Sequence, residues 1–333
     1  MNADASPPAG QAPAGPRERA PRLSVVIVAD HYRTIRQVVE AFRAQTIHEQ
    51  IEMVIVAPSR AALEAEAGAG DGFSRWVVVE AGSIDPARHA RAAGVRATTA
   101  PLVFLGETHS FPHPGFAAAL LAAHAAGWEV IVPGIDNANP QSATSWAGYL
   151  MDYGNWHPRL PAGQCAGGPT WNAAYRREAL MALDGSLEVA LAHGDSLRLG
   201  LQAQGCRWYF APDARLDHLN VAQLGPWIKE RYLAGMMVAV NRYPRWSFGR
   251  RCAYALATPL VVAVVLSRTA RPMRALWGTG VLPWGTLLSL VAGTIVRGVG
   301  ETMGYLFGPK PSHETRMEEY ELHKLKYAIE PGS

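Results

Sequence analysis

The chain has 333 residues, 49% of them hydrophobic, and a formal net charge of only +3. That length builds one large domain or two small ones with a full core, and so slight a basic excess excludes a nucleic-acid partner. Cys165, Cys206 and Cys252 form no CxxC pair and no disulfide framework, which fits a reducing compartment.

Residues 1–21 are rich in Ala, Pro and Gly and read as a disordered tail rather than a signal peptide. The apolar run LSVVIVA (23–29) suits a strand buried on both faces of a parallel sheet. Ile35, Val38, Val39 and Phe42 then mark one face of a helix. MVIVA (53–57), WVVVE (76–80) and LVFL (102–105) are further strands, with a helix over 86–97. A helix over 115–126 and the strand WEVIVP (128–133) follow. Alternating strands and helices predict an α/β layered sheet with right-handed crossovers. Ligands of such sheets sit at the carboxyl ends of the strands, and Asp30, Ser59 and Glu107 lie just beyond such ends.

From about residue 134 the pattern loosens. Gly163, Gly167, Gly168 and Pro169 predict a loop before a helix at 173–183. A further helix is expected over 187–203 and a late strand at WYFAP (208–212), with His218 close behind.

Residues 251–308 change character. CAYALATPLVVAVVL (252–266) is uncharged but, at 15 residues, shorter than the ~20 needed to span a bilayer. ALWGTGVLPWGTLLSLVAGTIV (275–296) is 22 uncharged residues with Pro283 inside. Arginines flank both segments, which suits helices lying in a membrane interface, with Trp277 and Trp284 at its boundary. A buried helical pair of a soluble domain is the other account. Residues 309–333 are polar, with capping-box spacing at Thr315 and Glu318. Met317, Leu322, Leu325 and Ile329 share a face, so a docking helix without chemistry is expected there.

The stretch FLGETHSFPHPGF (104–116) carries the chemistry. Glu107 and His109, two apart in an extended segment, point the same way. A carboxylate and an imidazole so placed could hold one divalent cation, although Mg²⁺ and Mn²⁺ favour more oxygen. Two ligands do not make a site, and a surface loop carrying both is the plainer account of spacing alone.

The order of several short motifs resembles a family 2 glycosyltransferase of the GT-A fold. VADHYR (28–33) stands at that family's opening turn and ARAAG (90–94) at its Ala-Arg-Asn-x-Gly. Glu107 and His109 fall where the family has Asp-x-Asp. ETHSFPHPGFAAALLAAH (107–124), DNANP (136–140) and LGPW (224–227) are similar to one branch of it. The resemblance covers about residues 22–250. It implies a Rossmann-like domain that transfers a sugar from a nucleotide-sugar donor to an acceptor hydroxyl, with inversion.

What the resemblance assigns follows residue by residue. Glu107 and His109 would hold Mn²⁺ or Mg²⁺ against the leaving diphosphate. Arg91 would contact the donor or be a solvated helix residue. Asp30 would meet base or ribose, or cap the next helix. Asp195 would be the base that takes the acceptor's proton, with Glu188 as rival, or a helix cap. Trp171 and Asn172 would line the acceptor pocket, and His218 would serve metal or phosphate. The second strand departs from the family: it ends VAPSR (56–60) without the aspartate that reads the base, leaving Ser59 or Arg60 to substitute. Together these readings give a transferase on the cytoplasmic face of the cell membrane, acting on a lipid-linked or envelope glycan precursor. An inactive membrane scaffold or sugar-binding subunit, and a soluble α/β enzyme unrelated to sugars, are the rivals.

Overall fold

The computed structural model describes residues 20–85, 87–192, 194–242 and 246–328. The expected N-terminal tail and Ile329 therefore lie largely outside the described residues.

The first half alternates as the sequence predicts. In chain order come β1 (Leu23–Val28), α1 (Tyr32–Arg43), β2 (Ile51–Ala57), α2 (Arg60–Leu63), β3 (Arg75–Glu80), α3 (Ala87–Ala97) and β4 (Leu102–Leu105). These are followed by β5 (Ser110–Pro112), α4 (Phe116–Ala125), β6 (Val130–Asn137) and α5 (Ala143–Asp152). The second half opens with β7 (Gly163–Cys165), β8 (Ala173–Arg176), α6 (Arg177–Met181), α7 (Leu187–Ala192), α8 (Gly194–Ala203) and β9 (Trp208–His218). It ends in helices: α9 (Leu224–Arg242), α10 (Phe248–Leu256), α11 (Thr258–Leu276), α12 (Thr286–Phe307), α13 (Pro311–Leu322) and α14 (Leu325–Ala328).

One sheet joins the strands in the order β3-β2-β1-β4-β8-β6-β9-β5, with β7 on β9. The first four run parallel. β8 runs antiparallel to both β4 and β6, so the sheet is mixed rather than wholly parallel. Successive residues of β1 show why its sequence is apolar throughout. Val25 and Ile27 pack under α1 and α4, while Val26 packs under α3 on the opposite face. Gly94 lets α3 lie directly on the sheet, because a Cβ there would come within 2.5 Å of Val26 and 2.7 Å of Val56.

Three local expectations are corrected. Residues 173–183 begin as a strand: Ala173, Ala174 and Tyr175 are fully buried and pair with β4, and only then does α6 turn. A short apolar run reads alike as strand or helix, and tertiary pairing decided this one. The helix expected over 187–203 is two, α7 and α8, with the weak helix former Gly194 opening the second. The capping box expected at Thr315 is not a helix start, since α13 begins at Pro311, whose fixed φ suits a first turn.

The apolar segment 275–296 is not one helix. α11 ends at Leu276 and α12 starts at Thr286. No single helix among the described residues is long and apolar enough to cross a membrane, although α10 and α11 together, bent by 57°, pass on length and composition. α12 instead packs tightly across α9. A Cβ on Gly235 would meet the Arg297 carbonyl oxygen at 1.9 Å, and one on Gly300 the Tyr232 carbonyl oxygen at 2.0 Å. The polypeptide then returns to the sheet. The Ala222 and Gln223 amides donate to the Tyr327 carbonyl (2.9 and 3.1 Å), which holds α14 beside the end of β9.

Candidate cation centre and cavity

β4 delivers Glu107 and His109 past the carboxyl edge of the parallel strands, and β5 turns back to pair with β9, setting Ser110 opposite His218. Three buried donor atoms converge there: Glu107 Oε2, His109 Nε2 and His218 Nε2. The two nitrogens are 3.1 Å apart and lie 3.4 and 3.3 Å from the carboxylate oxygen.

The outer nitrogens of both rings fix their protonation. Asn220 spends its amide protons on Asn137 Oδ1 and the His218 carbonyl, so its Oδ1 faces His218 Nδ1 at 3.1 Å and accepts from it. The Thr108 hydroxyl donates to the Leu322 carbonyl at 3.0 Å, leaving its oxygen to accept from His109 Nδ1 at 3.2 Å. With each Nδ1 carrying a proton, both Nε2 atoms can present lone pairs to the carboxylate.

Burial and the nearby Lys324 charge push the His109 imidazole well below its ordinary pKa, into the neutral form that binds metals. Burial raises the Glu107 carboxyl, and the pull that would hold it low comes from positive charge at His109, His218 and Lys324; with both rings in the Nδ1–H form, that charge is left to Lys324 and to a cation. Asn172 supports that carboxylate. Its left-handed backbone (φ 59°) turns the chain into β8, and its Nδ2 donates to Glu107 Oε2 at 2.5 Å. A triangle of donors 3.1–3.4 Å on edge matches a cation bound at about 2 Å from each, and lone pairs without an intervening proton fit one chemically.

A cavity of about 640 Å³ opens on this cluster. Its walls include Val28 and Gly106 from the sheet edge, Arg91 of α3, Arg231 of α9, Arg297 of α12 and Lys324 of the returning C-terminal segment. That volume lies in the range of small-molecule and cofactor sites. The Arg91 guanidinium stacks 3.6 Å over the Trp171 ring, and both line the cavity. Stacking on an aromatic fixes the plane of a guanidinium while leaving its N–H donors for an anion.

The other sequence-derived residues sit elsewhere. Asp30 accepts from the His31 amide and the Thr34 hydroxyl, and its second oxygen is 3.4 Å from His323 Nε2, so it holds a turn and the C-terminal segment. Ser59 caps α2, accepting from the Ala62 amide at 3.0 Å, and Arg60 pairs with Glu80. Neither Asp30 nor Ser59 lines the cavity. Asp195 does not reach it either: its side chain is 79% exposed and pairs with Arg198 at 3.2 Å. Glu188 pairs with Arg96 at 2.7 Å.

Sequence reasoning missed the charged groups on the far wall. Arg231 pairs with Asp152 at 2.7 Å and with its neighbour Glu230, all lining the cavity. Glu318, Glu321 and Lys324 come from a segment read as mere docking. The Glu230–Arg231 pair inside α9, beside the apolar run that continues at Leu233, was the cue, since buried charges are rarely placed without a task.

No family model matches the chain, and no curated protein matches it. Among solved structures it is similar to the mannosyltransferase PcManGT from Pyrobaculum calidifontis, solved with GDP-Man and Mn²⁺. The likeness covers 92% of this chain and 88% of that chain at 16% identity, with a TM-score of 0.49. It is also similar to GalNAc-T7, solved with UDP, GalNAc and Mn²⁺, over 60% of this chain at 16% identity and a TM-score of 0.42. The chain spans 44% of that second protein.

Proposed function

We propose that this chain is a cation-dependent glycosyltransferase that moves a sugar from a nucleoside diphosphate to an acceptor hydroxyl. The observation that carries the reading is the buried Glu107–His109–His218 triangle at the carboxyl edge of the parallel strands, open to a cavity that also holds Arg91. Breaking the bond between sugar and diphosphate leaves negative charge on the departing phosphates, and a bound divalent cation supplies the compensating charge. Arg91, oriented by Trp171, faces the same space and adds a positive charge that need not reorganise. The Nε2 lone pairs of the two rings and the Glu107 carboxylate would hold the centre in its ligating form.

Inversion at the anomeric carbon is the outcome implied by the sequence resemblance and needs a proton acceptor. Asp195 lies outside the cavity, so in this reading the acceptor's proton passes to another carboxylate of the wall, such as Asp152, Glu230 or Glu318. Trp171 and Asn172 serve the donor side in this reading, by orienting Arg91 and Glu107.

A membrane-bound acceptor is favoured by the outer surface of the helical third. Leu256, Leu260 and Val264 form an exposed apolar stripe that runs on to the exposed Arg268. Trp284 is 99% exposed, and Leu288 and Ile295 are exposed on α12. Apolar side chains beside arginines suit an anionic lipid surface, which on the cytoplasmic face would present a lipid-linked acceptor.

Calorimetric titration with Mn²⁺, then with UDP- and GDP-sugars, followed by a donor-hydrolysis screen, tests the function. Cation and nucleotide-sugar binding with turnover supports the transferase. Binding without any turnover supports an inactive sugar-binding subunit, a rival favoured by the cap role of Ser59 where the family has an aspartate. Binding of neither removes both.

A further inference from the structure

The C-terminal segment does more than cover the cavity. The Thr108 hydroxyl, beside the cation triangle, donates to the Glu321 and Leu322 carbonyls at 3.3 and 3.0 Å. That bond pins the last turn of α13 directly over the centre. Glu321 Oε2 then lies 3.9 Å from His109 Nε2. The Lys324 ammonium, on a residue only 5% exposed, holds the same carboxylate at 3.3 Å to Oε1 and 3.1 Å to Oε2. A buried ammonium and a carboxylate at the mouth of a Glu-His-His cluster carry a large desolvation cost. A solvated face would have spared the fold that cost.

We propose that Glu321 is a fourth ligand of the cation centre, delivered in trans to the sheet by the C-terminal segment, so that cation binding and docking of residues 311–328 are linked. The inference rests on the cation-centre reading above. Glu107, His109 and His218 leave coordination positions open, since three protein ligands do not fill a divalent ion's shell. Glu321 approaches the cluster at 3.9 Å from His109 and is not within 4.8 Å of all three ligand atoms, so its side chain has to swing inward to reach the centre, with Lys324 neutralising the added negative charge. By linkage, whatever the cation gains from Glu321 the docked segment gains from the cation.

Mn²⁺ binding to the full chain, measured by calorimetry and by electron paramagnetic resonance of free Mn²⁺, tests this. Glu321→Gln, a change that keeps shape, is expected to weaken Mn²⁺ binding at least about tenfold, while Glu107→Gln abolishes it. Limited proteolysis gives a second readout: Mn²⁺ is expected to slow cleavage within 309–328 in the native chain and not in Glu321→Gln. Equal Mn²⁺ affinity and equal protection in the native chain and Glu321→Gln would overturn the fourth ligand alone and leave the centre standing. A native chain that binds no divalent cation would overturn the centre and the inference with it.

Discussion

The imidazoles of His109 and His218 meet edge to face, ring centroids 4.8 Å apart, with their Nε2 atoms 3.1 Å from one another. Both Nδ1 protons are committed to Thr108 and Asn220, so no proton joins the facing nitrogens. Such a pair asks for a positive charge between it and Glu107. His218→Ala is therefore expected to abolish cation binding. Saturating Mn²⁺ should raise the melting temperature of the native chain by about 5 °C, as a hundredfold excess over Kd implies, and leave His218→Ala unmoved. Differential scanning fluorimetry checks both.

Two imidazoles beside Glu107 also select among cations. Mg²⁺ holds its waters and favours oxygen, whereas imidazole suits the later divalent ions. Mn²⁺, Co²⁺ or Zn²⁺ is expected to bind at least about tenfold more tightly than Mg²⁺ by competition calorimetry. Mg²⁺ binding as tightly as Mn²⁺ would count against the imidazoles as ligands.

Arg91 is oriented by its stack on Trp171 rather than by an ion pair among the described residues. Arg91→Lys keeps the charge but loses the planar fork. It is expected to weaken nucleoside diphosphate binding about tenfold, and Trp171→Ala similarly, with the melting temperature of Arg91→Lys little changed. Calorimetry with a nucleoside diphosphate in the presence of Mn²⁺ reads the effect.

Asp195 is exposed and bound to Arg198 on the outer face of α8. Asp195→Asn is expected to leave turnover within about twofold of native, because an exposed surface pair contributes little. A loss of several orders of magnitude in the steady-state rate would restore it as the base.

Docking of α13 has a pH dependence of definite sign. Burial, and then a hydrogen bond with Asp85, push the Glu318 carboxyl up to about 7, against the opposing pull of the Ala87 amide and of Arg91. A carboxyl whose folded pKa is raised favours the docked state fully below its ordinary pKa of 4.5, and that contribution is lost as pH rises through about 7. Hydrogen exchange in residues 311–322, corrected for intrinsic rates, is expected to be faster at pH 8 than at pH 6. Glu318→Gln, neutral at every pH, should flatten the difference.

The sheet was legible because its strands are apolar on both faces, as LSVVIVA and MVIVA show, and Glu107 and His109 were legible because an extended segment puts them on one side. His218 entered as a weak third member, and its position became clear only when β5 paired with β9. Local pattern carries no record of a strand such as β8, whose alanines read as helix until β4 supplies partners. The cavity's far wall was hidden for a related reason. Asp152, Arg231 and the Glu321–Lys324 pair come from three segments far apart in the chain, and only long-range packing makes them neighbours.

The crossing of α9 and α12 has a further consequence. Where Gly235 and Gly300 let two helix backbones touch, Arg231 and Arg297 are brought together on the cavity wall around Asp152, at 2.7 and 3.9 Å. The helices after Phe248 are thus part of the cavity itself: a chain cut short there would lose Arg297, Glu321 and Lys324 from its wall.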